Sequence, residues 1–346
     1  MSGGIAQLVA VGAQDAHIVG KPEVSFFRSN YRRHTNFAQT VETQVLQGNP
    51  SPGSISTVRF ERKGDMIGYV YISNRAGSQR TKAEWKQQIQ KVEVLIGGQV
   101  IDEQTSEFSL EIAPALLGQT YSKSLVATTD DKAAFYPLRF SFCENAQSAI
   151  PLVALQYHDV ELRITWGSSP ASDTEVHSQF IYLDTDERTA LSSTPQNMLV
   201  TQTQRAVQSG SNIQELNFNH PVKFVSTYKS GGVGVAAGEV RLQINGTDVG
   251  DAKLAKPHYT SASFYYHTPF TTLDNSNSDR FLYPFCLDTS KLQPTGSLNF
   301  SRLDSARLLS TAGSFNTDIY AVNYNILRIE NAVSYTHLTL PTICSV

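Results

Sequence analysis

The chain has 346 residues, of which 40% are hydrophobic and 17% are charged, and its formal net charge is −3. This apolar content excludes a wholly disordered chain and is enough for two or three domains of ordinary size. The weakly acidic balance excludes a protein that coats nucleic acid over its whole surface, because such binding comes mainly from neutralising phosphates.

The first prominent segment is FFRSNYRRHTNFA, residues 26–38, which combines three arginines and one histidine with four aromatic residues. Three interpretations fit this composition: a local nucleic-acid site, an interfacial membrane segment, or a structural segment whose aromatic side chains pack against a sheet. Composition alone favours the structural interpretation, since large aromatic side chains are usually buried.

Most of the remaining chain has the pattern of short strands between turn signals. The predicted strands lie at 92–96, 99–101, 160–166, 180–183, 222–225 and 319–329, the first two joined by a Gly97-Gly98 hairpin turn. Helical patterns are scarce. One covers 83–90, and a second covers 103–117 and is expected to break near Pro114. Many strands with few helices indicate a sandwich or a barrel.

An approximate internal repeat divides the chain. VEVLIGGQVID (92–102) resembles VRLQINGTDVGD (240–251), FYPLRFSF (135–142) resembles LYPFCL (282–287), and ALQYHDVELRI (154–164) resembles SLNFSRLDSARLL (297–309). The three matches occur in the same order at nearly one spacing. Two copies of one β domain of roughly 150 residues are therefore predicted, with a boundary near 191–197.

Signatures of catalysis and of cofactor binding are absent from the sequence. The histidines form no HExxH or HxH pattern, the cysteines form no CxxC pair, and neither GxxxxGK nor GxSxG occurs. A GxGxxA match at 232–237 is followed by a strand pattern, so no helix N-terminus is available for a pyrophosphate. We therefore predict no catalytic residue, no metal site and no cofactor. No run approaches eighteen apolar residues, so no transmembrane helix is expected.

Two triplets fit the acceptor pattern for N-glycosylation. Asn245 lies in a predicted Asn-Gly turn, where it would be accessible, and is the candidate glycosylation site. Asn299 lies in an apparent strand, and we expect it to be inaccessible.

The segment GAQDAHIVGKPEVSFFRSNYRRHTNFA (12–38) resembles the N-terminal signature of the major capsid proteins of nucleocytoplasmic large DNA viruses, especially the algal-virus and iridovirus branch. VEVLIGGQVID also resembles this family. Further matches cover nearly the whole chain in the family's order: IPLVALQYHDVELRI (150–164), IYLDTDERTAL (181–191), LNFNHPVKFV (216–225), LQPTGSLNFSRLDSARL (292–308) and IYAVNYNILRI (319–329).

The resemblance implies an all-β double jelly roll, with two eight-stranded antiparallel sandwiches in tandem and a few short helices. The implied divisions are an N-terminal arm at 1–24, a first jelly roll at 25–194 and a second at 195–329. The implied function is that of a structural major capsid protein without enzymatic activity. In the family, homotrimers form pseudo-hexagonal capsomers that tile an icosahedral virion shell around an internal membrane.

The resemblance also implies partners: other copies of the chain, neighbouring capsomers, minor capsid proteins and an internal viral membrane nearby, with no specific nucleic-acid binding. It implies a virion location after assembly in the host cytoplasm. Because the family's N-terminal segment lies on the inner side of the shell, the inner-face or assembly candidates are Arg28, Tyr31, Arg32, Arg33 and His34. The aromatic residues of this segment are expected to pack beneath the sheet of the first jelly roll.

Two regions depart from the family pattern. A compact Gly-rich loop stands between Val225 and Glu239, where longer outer loops are usual. The last residues, 330–346, replace the family's small, Gly-rich tail, and we interpret them as translated adapter or assembly read-through and exclude them, with Cys344, from the predicted fold.

Two other classes of function remain as alternatives. A tandem jelly-roll carbohydrate-binding protein would need a loop cluster rich in Asp, Asn and aromatic residues, for which Thr272–Arg280 is the candidate. A tandem cupin-like enzyme would need clustered histidines around a metal ion.

Overall fold

The computed structural model describes residues 13–75, 77–118, 132–230, 238–269, 279–330 and 333–335. The chain forms two compact units, Met1–Asn36 and Phe37–Val346. In the first unit the described residues include one short helix, α1 (Ala16–Val19), and no strand. None of the described helices is long and apolar enough to cross a membrane.

The first half of the larger unit is a sandwich of two antiparallel sheets. One sheet has the strand order β1-β12-β4-β10, with β9 also paired to β4, and the facing sheet has the order β2-β3-β11-β6-β7. A separate pair joins β5 and β8. The strands are β1 (Phe37–Gln44), β2 (Leu46–Gln47), β3 (Ile55–Arg59), β4 (Met66–Asn74), β5 (Arg80–Thr81), β6 (Ile89–Ile96), β7 (Gln99–Thr105), β8 (Lys132–Ala133), β9 (Phe135–Pro137), β10 (Ile150–Pro151), β11 (Val160–Trp166) and β12 (Thr174–Leu183).

The second half repeats this arrangement. One sheet has the order β13-β22-β15-β19, with β20 also paired to β15 and β23 to β22. The facing sheet has the order β14-β21-β16-β17, with β18 also paired to β16. The strands are β13 (Gln196–Ala206), β14 (Ile213–Glu215), β15 (Pro221–Tyr228), β16 (Glu239–Ile244), β17 (Thr247–Asp248), β18 (Lys253–Leu254), β19 (Arg280–Pro284), β20 (Leu298–Asn299), β21 (Ala306–Ser310), β22 (Ile319–Glu330) and β23 (Val333–Tyr335).

Both halves therefore have the same strand order in both sheets, and the fold is a double jelly roll, as the sequence predicts. The three repeat matches fall on equivalent strands: β6–β7 on β16–β17, β9 on β19, and β11 on β21. Gly97 and Gly98, and likewise Asn245 and Gly246, have positive φ, which the tight hairpin turns at these two equivalent positions require.

Each sandwich has its own core because alternate residues of the facing strands point inwards. The first core includes Val94, Leu162 and Ile164 from one sheet and Val70 and Val176 from the other, all at most 2% exposed. The second core is built in the same way around residues such as Leu242, Leu308 and Ala321.

The helices differ in part from the sequence prediction. The first predicted helix is present as α2 (Lys82–Gln88), which begins with a capping box between Thr81 and Glu84. The second prediction is wrong at its start, because Glu103 to Thr105 extend β7 instead. A π-helical turn, Phe108–Ile112, follows and leads into α3 (Ala113–Leu116). Pro114 stands in the first turn of α3, where its missing N–H costs no hydrogen bond, so it does not break the helix.

The remaining helices connect strands. They are α4 (Ser141–Glu144), α5 (Thr185–Ser193), α6 (Ala255–Pro257) and α7 (Ser263–His267), with a second π-helical turn at His258–Ala262 and short 3₁₀ turns at Ala146–Ser148, Leu152–Ala154 and Phe300–Arg302. Helix α5 ends at Ser193, inside the range 191–197 in which the boundary was predicted, and β13 begins at Gln196.

Part of the segment excluded from the predicted fold is ordered. Val333–Tyr335 form β23, which pairs with β22 through Glu330 and Arg328. The backbone N–H of Ser334 donates to Nδ1 of His158 at 3.2 Å. Within 330–346, Glu330 and Val333–Tyr335 therefore lie in strands, whereas 331–332 and 336–346 lie outside the described residues.

Candidate assembly surfaces

The N-terminal segment that carries the predicted assembly candidates is exposed throughout its described length. Arg28, Tyr31, Arg32, Arg33 and His34 all lie on the surface of the single chain. The imidazole Nδ1 of His34 is 2.7 Å from the carbonyl oxygen of Thr35, so part of its polarity is satisfied locally.

Phe26, Phe27 and Tyr31 belong to the compact unit Met1–Asn36. Phe26, Phe27 and Tyr31 are 94%, 100% and 84% exposed in the single chain. Their packing beneath the sheet of the first jelly roll stays a prediction.

The seam between the two jelly rolls is a second core. From the first jelly roll, the π-helical turn and α3 contribute Phe108, Ile112, Ala113 and Leu116, each at most 1% exposed. They pack against the outward face of the β13-β22-β15-β19 sheet, whose contributors are Phe224, Leu282, Tyr320 and Val322. This sheet is consequently buried on both faces, since its inward residues line the second core.

Polar contacts fix the register of the seam. The Thr105 hydroxyl donates to the hydroxyl of Tyr320 at 2.8 Å, and both groups are buried. Burial raises the pKa of Tyr320, so the phenol stays neutral. The hydroxyl of Thr289 donates to the carbonyl of Leu116 at 2.8 Å. A buried hydroxyl without a partner would cost free energy, so these pairs specify one alignment of the two halves.

Glu111 forms ion pairs with cations of both jelly rolls at the seam. Its side chain is 7% exposed and lies 3.0 Å from Lys86 and 3.6 Å from Lys82, both on α2, and 3.5 Å from Arg280 of the second jelly roll. Lys86 and Arg280 also lie over the ring of Tyr228, at 5.1 and 5.2 Å from its centroid. One buried carboxylate therefore joins cations from both halves.

Asp102 is a fully buried acid at the same seam. Its Oδ1 accepts the backbone N–H groups of Thr203 at 2.7 Å and Glu103 at 2.9 Å, and its Oδ2 accepts the Gln104 amide at 3.1 Å. Burial outweighs these donors and raises the pKa of Asp102 from its ordinary 3.8 to about 8. The protonated carboxyl is the form that this position favours at neutral pH.

Lys223 is buried in the second jelly roll beside this surface, and 2% of it is exposed. Its Nζ donates to the carbonyls of Thr289 at 3.0 Å and Lys291 at 3.2 Å and lies 5.4 Å from the ring centroid of Tyr324. Burial lowers the pKa of Lys223. The lysine therefore ties β15 to the loop after β19.

Among the described residues, no three His, Cys, Asp or Glu side chains are grouped so that they could hold a metal ion. The loop proposed for sugar binding, 272–280, falls mostly outside the described residues, as does the Gly-rich match at 232–237. Asn245 lies in an exposed turn, and its side-chain oxygen accepts the N–H groups of Asp304 and Ser305, each at 3.0 Å.

Sequence analysis did not identify Asp102 and Glu111 as seam residues or Lys223 as a buried lysine beside the seam. The one available signal was an acidic or basic residue inside an otherwise apolar stretch, as in LEIAPALL (110–117) or PVKFVS (221–226). Such a residue signals burial with a partner, because an isolated buried charge is too costly.

Comparison with known proteins places these features in a family. Residues 25–217 match the family model described as the N-terminus of major capsid proteins. The major capsid protein of Pyramimonas orientalis virus is 34% identical over 96% of this chain and 98% of its own length. The major capsid protein of Paramecium bursaria Chlorella virus 1 is 28% identical over the same shares.

Solved structures agree on the fold. A crystal structure of a capsid protein of Paramecium bursaria Chlorella virus 1, fitted into a reconstruction of the virophage Sputnik, has a TM-score of 0.75 at 24% identity and covers 90% of this chain and 99% of its own. The Faustovirus major capsid protein has a TM-score of 0.64 at 10% identity, covering 92% of this chain and 94% of its own.

Proposed function

The chain belongs to the major capsid protein family of large DNA viruses, and it is a structural protein of the virion capsid and not an enzyme. We propose that it assembles as a homotrimer. Three chains with two jelly rolls each give a block of pseudo-hexagonal outline. Such blocks tile an icosahedral shell through one class of repeated contact, and the closed symmetry of each block limits its own growth.

The observation that carries this proposal is the seam. A sheet buried on both faces, with Glu111 and Asp102 enclosed between the halves, makes the two jelly rolls one rigid block. A shell unit must keep its shape while neighbours press on it, and a buried interface of this kind resists relative motion of domains. Particles of threefold symmetry and hexagonal outline in electron micrographs of the purified chain would support the proposal, whereas uniform single-chain particles would contradict it.

We further propose that the N-terminal segment faces the shell interior, where minor capsid proteins and an internal membrane are its partners. Three exposed arginines and exposed aromatics give the mixture that binds acidic headgroups and protein surfaces alike. Specific nucleic-acid binding is not part of this role. Assembly then takes place in the host cytoplasm.

A charge reversal tests the role of this segment. In the double variant Arg32→Glu, Arg33→Glu, trimers should form normally while shell assembly on anionic vesicles falls at least tenfold. The matched control is Lys291→Glu with Arg302→Glu, which reverses two surface charges of the second jelly roll. Loss of trimers in the Arg32, Arg33 variant would make the segment a clamp within the block, and loss of DNA binding alone would restore the nucleic-acid interpretation.

Two finer assignments complete the proposal. The proposed domains are an arm at 1–24, a first jelly roll at 25–194 and a second at 195–329. The described residues remain exposed as far as Asn36.

Asn245, in the exposed β16–β17 turn, is the proposed glycosylation site. A glycan mass on the peptide containing Asn245, lost in Asn245→Gln, is the expected result in virions; an unmodified peptide would refute it.

A further inference from the structure

Strand β13 forms a sheet edge that is open along part of its length. Among the described strands it pairs only with β22, in a register that runs without a shift from Gln196 to Ala206. In an antiparallel pair, alternate residues direct their backbone N–H and C=O groups towards the partner strand, and the residues between them direct theirs away. Thr203 is one of those directed away, because its N–H donates to Asp102 of β7 at 2.7 Å.

The same alternation assigns the residues that precede Thr203. Thr201, Leu199 and Asn197 lie two, four and six residues before it, so their backbone groups also face away from β22. Within the described part of the chain, no other group is hydrogen-bonded to these three N–H groups or to these three C=O groups. We call Gln196–Thr201 the open edge.

The open edge lacks the features that normally protect an exposed strand. Natural edge strands are blocked by charged side chains, prolines or bulges, and the open edge, QNMLVT, contains none of these. The equivalent edge strand of the first jelly roll, β1, carries Glu42, which pairs with Lys63 at 2.9 Å. In β13 the blocks stand only beyond the two ends, where Pro195 has no N–H and the Asp102 carboxyl occupies the N–H of Thr203.

A groove of about 370 Å³ runs along the open edge. Five of the six residues of the open edge line it, including the neighbours Met198 and Leu199. Consecutive strand residues point to opposite faces of a sheet, so the groove meets β13 at its edge and not over one face. The opposite wall comes from the first jelly roll, through α4, the 3₁₀ turn Ala146–Ser148 and β10, which is itself the last strand of its sheet.

The lining of the groove selects for an uncharged occupant, since every described side chain that lines it is uncharged. A charged group placed there would lose water without gaining a partner of opposite charge. Five of the lining side chains are amides, which both donate and accept hydrogen bonds: Asn145, Gln147, Gln196, Asn197 and Gln293. Between them lie Met66, Pro151 and Met198, and methionine side chains adapt to irregular apolar surfaces.

We propose that the open edge binds an extended, uncharged segment of a second protein, which adds to the sheet as a strand beside β13. Main-chain hydrogen bonds to Asn197, Leu199 and Thr201 hold such a segment, and the amides and methionines of the groove receive its side chains. Six residues of strand span about 20 Å, which sets the length of the segment. The Asp102 carboxyl ends the pairing at Thr203. This interaction goes beyond the proposed homotrimer and does not depend on it.

Hydrogen exchange of the purified full chain tests the assignment with a defined probe. The probe is an acetylated and amidated peptide of alternating threonine and valine, N-methylated at every second residue so that one of its edges can pair. The control peptide is N-methylated at every residue. With the probe at about ten times its Kd, exchange at Asn197, Leu199 and Thr201 should slow about tenfold. Exchange at Met198 and Val200, whose N–H groups face β22, should change less.

Three results would overturn the proposal. The first is unchanged exchange with the probe at about 1 mM, a concentration at which even weak complexes form. The second is equal slowing by the fully methylated control or by the neutral oligosaccharide maltoheptaose, since neither pairs as a strand. The third is slowing that appears without any peptide as the chain is concentrated and that is lost on deletion of residues 1–36, because the occupant would then be the N-terminal segment of another copy.

A charge on the open edge provides an independent check. Leu199 is 41% exposed, so Leu199→Lys should leave the urea midpoint of unfolding unchanged. The matched control is Ile213→Lys, which is also 41% exposed and lies on β14, the edge strand of the facing sheet. Leu199→Lys should weaken binding of the probe about tenfold, whereas Ile213→Lys should change it less than about twofold. Equal affinities of the two variants would contradict the proposed edge.

Intact virions show whether a natural segment occupies the open edge. Without any probe, exchange at Asn197, Leu199 and Thr201 should be about tenfold slower in virions than in the purified chain. Exchange that is equally fast in both would overturn the proposal. Equally slow exchange in shells assembled from the purified chain alone would also overturn it, because a neighbouring copy would then cover the edge.

Discussion

Phe108 is the residue through which the seam can be weakened most directly. It is fully buried between the π-helical turn and the second jelly roll, in contact with the ring of Tyr320. Truncation of a buried Phe to Ala costs about 3–5 kcal/mol, because apolar burial is lost and a cavity remains. With an m-value of about 3 kcal/mol per molar urea for a chain of this size, the midpoint of unfolding should fall by about 1–1.7 M.

The chain offers a convenient assay for this variant. Trp85 and Trp166 are both fully buried and both belong to the first jelly roll, so tryptophan fluorescence reports that half, whereas far-ultraviolet circular dichroism reports both. In the unaltered chain the two signals should change together. In Phe108→Ala they should separate, since the halves no longer stabilise each other through an intact seam.

The control is Tyr157→Ala, which truncates a 76% exposed aromatic and should change the midpoint by less than about 0.2 M, because exposed positions contribute little. A Phe108→Ala midpoint within that margin, with coincident signals, would refute the argument that the seam is a core.

Three further predictions concern charged groups at or beside the seam. The pKa of Asp102 is raised in the folded chain, so the stability that its protonated carboxyl contributes is full below pH 4 and is lost as pH rises towards 8. The urea midpoint of the unaltered chain should therefore fall between these pH values, and the midpoint of Asp102→Asn should vary less. Equal slopes in both proteins would contradict the assignment. Glu111→Gln should lower the free energy of unfolding by about 2 kcal/mol. This is less than the loss of about 3–5 kcal/mol expected for a fully buried ion pair, because the cations around Glu111 are partly exposed. An unchanged free energy of unfolding in urea would exclude the three-cation arrangement. Lys223→Met leaves two loop carbonyls without their donor and should cost about 1–3 kcal/mol by the same assay, whereas a gain in stability would show that the lysine is a net burden.

Much of the fold can be predicted from the sequence because strand alternation and turn chemistry are local. The Gly97-Gly98 and Asn245-Gly246 turns mark equivalent hairpins, and the repeat matches fall on equivalent strands. Alternation even indicates which sheet is covered. In β12, Glu175 and His177 alternate with buried Val176 and Phe180, whereas β22 has the continuous run IYAV of a strand buried on both faces.

The seam itself could not be predicted, since it depends on how two finished domains meet. The stretch 103–117 has a helical pattern. Its first residues complete a strand, and the rest forms a π-helical turn followed by α3, because packing against Phe224 and Tyr320 decides its geometry. The contacts of Phe26 and Phe27 cannot be predicted from the sequence for a related reason: aromatic composition shows that a partner is needed and does not show which chain supplies it.

We propose that this capsid chain assembles as a homotrimer. Native mass spectrometry of the purified full chain tests it most directly. If the chain is a homotrimer, the spectrum will show a dominant species of three times the 38.1 kDa chain that persists at micromolar concentration. A dominant single-chain mass under the same conditions would contradict it.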